Sequence, residues 1–221
     1  MKKEAYVDSV SLRRRSRDFL ARLAGFCRHA DLPRFSAPAL LVVDMQGIFL
    51  DPDSPSFVPS APAIMDNVLA LQHAFLQRSL PVIHTRHGNT AADAGMMAPW
   101  WGGLIDPRDP RAAVSQHLAD DRVTVIAKTQ YDAFFATGLS DLLRARGVGQ
   151  LVVCGVKTHL CCDTTARSAF MRGYAVIVPV DATASDHRDL HLGSLKALSH
   201  GVAVPALTRQ IVSALEGGPS R

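Results

Sequence analysis

Between residues 38 and 206 the chain alternates two kinds of segment, and this alternation restricts its fold more than any other feature. Runs rich in Val, Ile and Leu stand at 39–45, 81–86, 122–128, 150–156, 175–183 and 202–205. Several of them, such as QLVVCGV, lack polar alternation, as expected of strands covered on both faces of a parallel sheet. Helical patterns fill the intervals at 63–79, 132–147, 158–173 and 187–201, and the last three end in Gly147, Gly173 and Gly201, where a helix stop belongs. Strand and helix in alternation predict an α/β fold of three α/β/α layers, doubly wound around a mostly parallel six-stranded sheet.

Length bears on the number of domains. A chain of 221 residues, 48% hydrophobic and 20% charged, is long enough for one sizeable core and short for two. Residues 1–37 read as a basic N-terminal extension with a helical arm, and residues 38–221 as the domain. The net charge of +4 follows this division. Nine Lys and Arg against four Asp and Glu fall in residues 1–38, which leaves 15 against 16 for the remainder. The basicity therefore belongs to the arm, where Arg13, Arg14 and Arg15 read as a solvated helix face rather than a nucleic-acid site. Leu12, Phe19, Leu20 and Leu23 recur at helical spacing on that arm, which can pack on a neighbour or on its own core. No run approaches the roughly 18 apolar residues of a membrane helix. The arm also has no continuous apolar core of the secretory kind. A cytoplasmic protein without membrane or nucleic-acid partners is expected, with Cys27, Cys154, Cys161 and Cys162 as free thiols, since their spacing suits neither disulfides nor a zinc ribbon.

In doubly wound sheets, ligands gather beyond the carboxyl ends of the strands. The first strand ends in Asp44, the third in Lys128, and the fourth runs through Gly155 toward Cys161. Singly, each has an ordinary structural reading as a turn cap, a surface lysine or a small buried residue. Together they supply what thiol catalysis requires. A helix start lowers a thiol's pKa through free N–H groups and the dipole. A carboxylate can take the thiol proton and return it to a leaving amine, while an ammonium keeps that carboxylate ionised and oriented. The same N–H groups can stabilise the oxyanion formed on attack at a carbonyl.

Three segments, LLVVDMQGIF with Asp44, VIAKTQYDAFFATGL with Lys128 and GVKTHLCCDTTARSAF with Cys161, carry a resemblance to the isochorismatase-like hydrolase superfamily of cysteine hydrolases. The family pattern Gly-Val-x-Thr-x-x-Cys falls on Gly155, Val156, Lys157, Thr158 and Cys161, and its Thr-Ala on Thr165 and Ala166. This register selects Cys161 over Cys162, which lies about 100° further round a helix and points into packing. The resemblance implies a cis peptide between Val156 and Lys157, with the N–H groups of Lys157 and Cys161 aimed at the oxyanion. It also implies a small-molecule substrate and a homodimer or homotetramer.

Nicotinamidases of this superfamily carry a metal held by an Asp-x-His element after the second strand. This chain has His84-Thr85-Arg86-His87 there, so no metal and no other cofactor is expected. His84 and His87 read either as rim or substrate-contact residues or as packing. Arg86, His87, Trp100, Trp101 and Tyr131 are candidates to line a pocket for a small, planar, carboxylated molecule. The Trp pair also reads as a packed loop or a subunit contact. Isochorismatases cleave a vinyl ether with the Asp and Lys and have Gly in place of the Cys, so Cys161 favours an acyl substrate such as an amide or ureide. The expected function is a cysteine amidohydrolase. Vinyl-ether hydrolysis with Asp44 as the acid and Cys161 idle is the alternative enzyme, and a non-catalytic binding domain the alternative class.

Overall fold

The computed structural model describes residues 2–29, 31 and 34–217. Its sheet has seven strands: β1 (Pro38–Val43), β2 (Val82–His87), β3 (Thr124–Lys128), β4 (Gln150–Val156), β5 (Ala175–Pro179), β6 (Thr183–Ala184) and β7 (Ala203–Ala206). The order is β3-β2-β1-β4-β5-β7, with the short β6 paired to β4, and every ladder is parallel. The count differs from the six strands expected because the run 175–183 is not continuous. The chain turns at Val180–Ala182, where the Ala182 carbonyl accepts the Gly155 N–H at 2.8 Å, and restarts as β6 beside β4.

Eight α-helices accompany the sheet among the described residues: α1 (Leu12–Leu23), α2 (Gly47–Leu50), α3 (Met65–Leu76), α4 (Met97–Trp101), α5 (Leu139–Ala145), α6 (Asp163–Met171), α7 (Arg188–Gly201) and α8 (Thr208–Leu215). Alternate strand residues divide the core between the two faces, as the pleat requires. Leu40, Val42, Val152 and Ile177 meet Val68, Leu71 and Phe75 of α3 and Ile211 of α8. Leu41, Val43, Leu151 and Val153 meet Leu139 and Leu143 of α5, Ala166 and Ala169 of α6, and Leu195 and Leu198 of α7. These are the three layers expected.

Several boundaries moved. The pattern 132–147 is helical only from Leu139, because residues 132–138 form the turn that follows the third strand. Gly147 and Gly173 adopt left-handed φ of 63° and 87° as helix stops, whereas Gly201 lies inside α7. The arm packs on its own chain, with α1 against α7 and β7 and with Leu12, Phe19 and Leu23 buried. No helix among the described residues is long and apolar enough to cross a membrane.

Candidate active site

The carboxyl ends of β1, β2, β3 and β4 bring the predicted groups together. β1 ends in Asp44, a buried residue in the left-handed region at φ 51°, a conformation costing of order 1–3 kcal/mol in most residues but best tolerated by Asn and Asp. Its N–H donates to Thr85 Oγ1 at 3.1 Å, and that hydroxyl donates back to Asp44 Oδ1 at 2.6 Å. The other carboxylate oxygen, Oδ2, lies 2.8 Å from Lys128 Nζ. Oδ2 receives no well-directed hydrogen bond among the described residues, so it keeps a lone pair for a proton. Lys128 Nζ also donates to Gln130 O at 3.0 Å and to Cys161 Sγ at 3.4 Å. Thiol, ammonium and carboxylate thus form one buried contact set.

Gly155 makes the approach of β4 to β1 possible. Its φ is 107°, and a Cβ there would lie 2.1 Å from Val43 O. Past it, the Val156–Lys157 peptide is cis. The chain then makes a single π-helical turn, Thr158–Cys162, before α6 begins. Such turns are rare and recur at functional sites. Cys161 is 6% exposed at this turn, while Cys162 is fully enclosed with its sulfur toward Cys154 O, which is the packing role expected of it.

The electrostatics correct one expectation. The thiol is not poised as a thiolate: burial pushes Cys161 up to about 12, with Lys128 pulling it down and Asp44 pushing it further up. Desolvation and the adjacent carboxylate outweigh the pull of Lys128. Burial opposes the Lys128 charge, but negative charge beside it, that of Asp44 first, holds the ammonium above its ordinary value. Both features suit a proton that moves from sulfur to Asp44 during attack rather than beforehand.

The remaining candidates divide. His87 is buried beside Lys128 and Asp44, and burial and the Lys128 charge lower it to about 4, so it is neutral; its Nδ1 has no hydrogen-bond partner among the described residues. Trp101 Nε1 donates to Tyr131 OH at 2.7 Å, and Lys157 Nζ stands 5.5 Å from the Trp101 ring centre. Trp101 therefore links Tyr131 and Lys157 across the rim. Trp100 is 74% exposed. Arg86 donates to Pro107 O and holds a loop. His84 Nε2 lies 2.8 Å from Gln72 Oε1 of α3, on the opposite side of β2 from Thr85.

The second strand does not fit a metal. His84 is engaged with Gln72, His87 lies beside an ammonium that repels cations, and no three His, Cys, Asp or Glu side chains cluster as a ligand set among the described residues. A cavity of about 680 Å³ lies at the other end of the sheet, lined by Ala37, Pro38, Pro81 and Arg146 among others, far from the thiol.

Sequence reasoning missed the supporting roles of Thr85 and Gln46, and picked out Thr165 only as part of the family pattern. Thr85 orients Asp44, and buried Gln46 donates to His87 O (2.8 Å) and Ala112 O (2.6 Å) while accepting the His87 N–H (2.8 Å). Thr165 Oγ1 accepts the Ala133 N–H at 3.0 Å and contacts Tyr131 O at 3.3 Å, which secures the Tyr131 turn. A polar residue in or just beyond a strand is the only trace Thr85 and Gln46 leave in a single sequence.

This three-layer parallel α/β fold is that of isochorismatase-like cysteine hydrolases, and here its strand ends join a thiol, an ammonium and a carboxylate. The Isochorismatase domain matches residues 38–210, and the chain belongs to that family of hydrolases. It is 35% identical over 178 residues to Nicotinamidase 3 of Arabidopsis thaliana, covering 77% of this chain and 85% of that protein. Identity to Enterobactin synthase component B of Escherichia coli (strain K12) is 32% over 183 residues, covering 80% of this chain and 62% of that longer protein. The structure of a cysteine hydrolase from Pseudomonas syringae pv. phaseolicola 1448A matches with a TM-score of 0.82 at 27% identity, over 86% of this chain and 98% of that one. N-carbamoylsarcosine amidase from Thermoplasma acidophilum matches at 0.69 and 26%, over 78% and 97%.

Proposed function

We propose that this chain is a cysteine-dependent amidohydrolase acting on a small amide or carbamoyl compound. The observation that carries this reading is the contact set of Cys161 Sγ, Lys128 Nζ and Asp44 Oδ2, buried together at the carboxyl ends of the strands. In the first half-reaction the Cys161 sulfur attacks the amide carbon as its proton passes to Asp44 Oδ2. The backbone N–H groups of Lys157 and Cys161 hold the oxyanion. The C–N bond then breaks, the amine leaves with the proton from Asp44, and a thioester remains. In the second half-reaction Asp44 takes a proton from water, the hydroxide attacks the thioester, and the carboxylic acid departs as the thiol is restored. Lys128 keeps Asp44 ionised and oriented throughout. Trp101, Tyr131 and His87 form the rim that receives the substrate, and Arg86 acts on it only through the loop at Pro107. The matches to a nicotinamidase and to N-carbamoylsarcosine amidase support C–N cleavage. We further expect a homodimer or homotetramer, read by size exclusion.

The second reading, vinyl-ether hydrolysis with Asp44 as the acid, draws support from the match to Enterobactin synthase component B and from a thiol that rests protonated. One variant separates the two. Turnover of a panel of small amides, carbamoyl compounds and isochorismate is measured for the native chain and for Cys161→Ala. Amide turnover that vanishes in the variant, with an acyl adduct on the native protein by intact mass, supports the amidohydrolase. Isochorismate hydrolysis that survives the variant overturns it.

A further inference from the structure

Residues 3–7 precede the family domain, yet they lie against two loops, the second of which grips the nucleophile's turn. On the first loop, residues 51–61, Lys3 Nζ donates to Pro55 O at 2.8 Å and Phe57 O at 2.7 Å, while the Tyr6 and Val7 N–H groups share Ser60 Oγ at 3.1 and 3.3 Å. On the second, between β6 and α7, the Glu4 N–H donates to Asp186 O at 2.9 Å and Glu4 Oε1 accepts the Arg188 N–H at 2.9 Å. The Tyr6 hydroxyl accepts the Ser185 N–H at 2.9 Å.

Lys157, Thr158 and His159 are each held by a residue that this segment touches. Lys157 Nζ pairs with Asp186 Oδ2 at 2.8 Å, and Asp186 carries Glu4 on its carbonyl. His159 Nδ1 meets Ser185 Oγ, and Ser185 is held by Tyr6. Thr158 Oγ1 lies 2.8 Å from His191 Nδ1, and the His191 ring stands 5.3 Å from the ring of Tyr6 and 5.4 Å from that of Phe19. We propose that the N-terminal segment is a positioning element for the nucleophile's turn, acting chiefly through Tyr6. A π-helical turn has no regular neighbours to repeat its hydrogen bonds, so its orientation depends on what its side chains grip. Tyr6 secures two of those grips, at Ser185 and at His191, and thereby keeps the Cys161 sulfur facing Lys128 and Asp44. The inference rests on Cys161 as the nucleophile, and it gives the extension a task in the reaction rather than in packing alone. Supporting residues of this kind govern the sub-ångström placement on which reaction rates depend.

The test compares Tyr6→Phe and Tyr6→Ala with Leu23→Ala, a packing change on α1 of the same arm. The readouts are Tm, kcat, KM and the rate of Cys161 alkylation by iodoacetamide against pH, located by peptide mass and taken well below every Tm. Expected is a fall of about 10- to 100-fold in kcat and a changed alkylation profile for Tyr6→Ala, a smaller fall for Tyr6→Phe with Tm nearly kept, and a lowered Tm alone for Leu23→Ala. If both Tyr6 variants lower Tm while kcat and the alkylation profile match the native chain, the segment is only packing and the proposal fails. The alkylation profile reads the turn whether or not Cys161 is the nucleophile, so full activity of Cys161→Ala would overturn the amidohydrolase without being mistaken for failure of the positioning role.

Discussion

At the scale of single residues, the site is held by partners that cannot be removed one at a time without cost. Asp44 and Lys128 are both fully buried, and deleting one member of such a pair strands the other's charge, a loss of about 3–5 kcal/mol. Lys128→Met is therefore expected to lower both the urea midpoint and kcat, the latter by about 10²-fold or more, since the proposed base, Asp44, loses the cation that orients it. Thr85→Val is the finer probe. It preserves shape but removes the 2.6 Å bond to Asp44 Oδ1, and a bond to a charged group contributes about 1.5–3 kcal/mol. Realised in the transition state, that corresponds to a fall of about 10- to 100-fold in kcat/KM; unchanged kinetics would show that Lys128 alone orients Asp44.

At the scale of elements, four strand ends contribute one group each, and the loops beyond them adjust the pocket. The β3–α5 turn is anchored to α6 by Thr165 at Ala133 N and by the Ser168 hydroxyl on Asp132 Oδ2 at 2.7 Å. That turn holds Tyr131 under Trp101, away from the sulfur's own support. Thr165→Ala should accordingly raise KM about three- to tenfold, the worth of one hydrogen bond, and leave kcat nearly as it was. Steady-state kinetics on the amide returned by the screen would check this, and a fall in kcat at constant KM would mean that the turn positions the reacting groups instead.

At the scale of the whole molecule, three imidazoles enclosed in the fold tie its stability to pH. Burial lowers His84 to about 4 and, with help from Lys128, His87 to about 4; burial lowers His191 to about 3. In the unfolded chain each titrates near 6.5. As pH falls below about 6.5 the unfolded state takes up protons that the folded state refuses, so stability declines until the folded values are reached near 3 to 4. Each histidine contributes up to about 1.4 kcal/mol per pH unit in that window. Urea midpoints should therefore drop steeply from pH 6.5 to 4 and change little from 7 to 8. Replacing His84 by Gln should flatten part of the slope.

The division of labour between sequence and fold runs through particular residues. Val-rich runs at 39–45 and 150–156 announce buried strands because an unbroken apolar run is soluble only when both faces are covered. Asp44, Lys128 and Cys161 were legible because each closes or follows such a run, and a parallel sheet places those ends on one rim. The seventh strand, the grip of Thr85 on Asp44 and the contact of Tyr6 with Ser185 depend on residues 28, 41 and 179 positions apart along the chain, and no local pattern encodes such pairings. The state of the thiol is decided at the same level. A helix start argues for thiolate from the local chain alone, but the enclosure that holds Cys161 protonated is built from several elements at once, and desolvation exists only after they have packed.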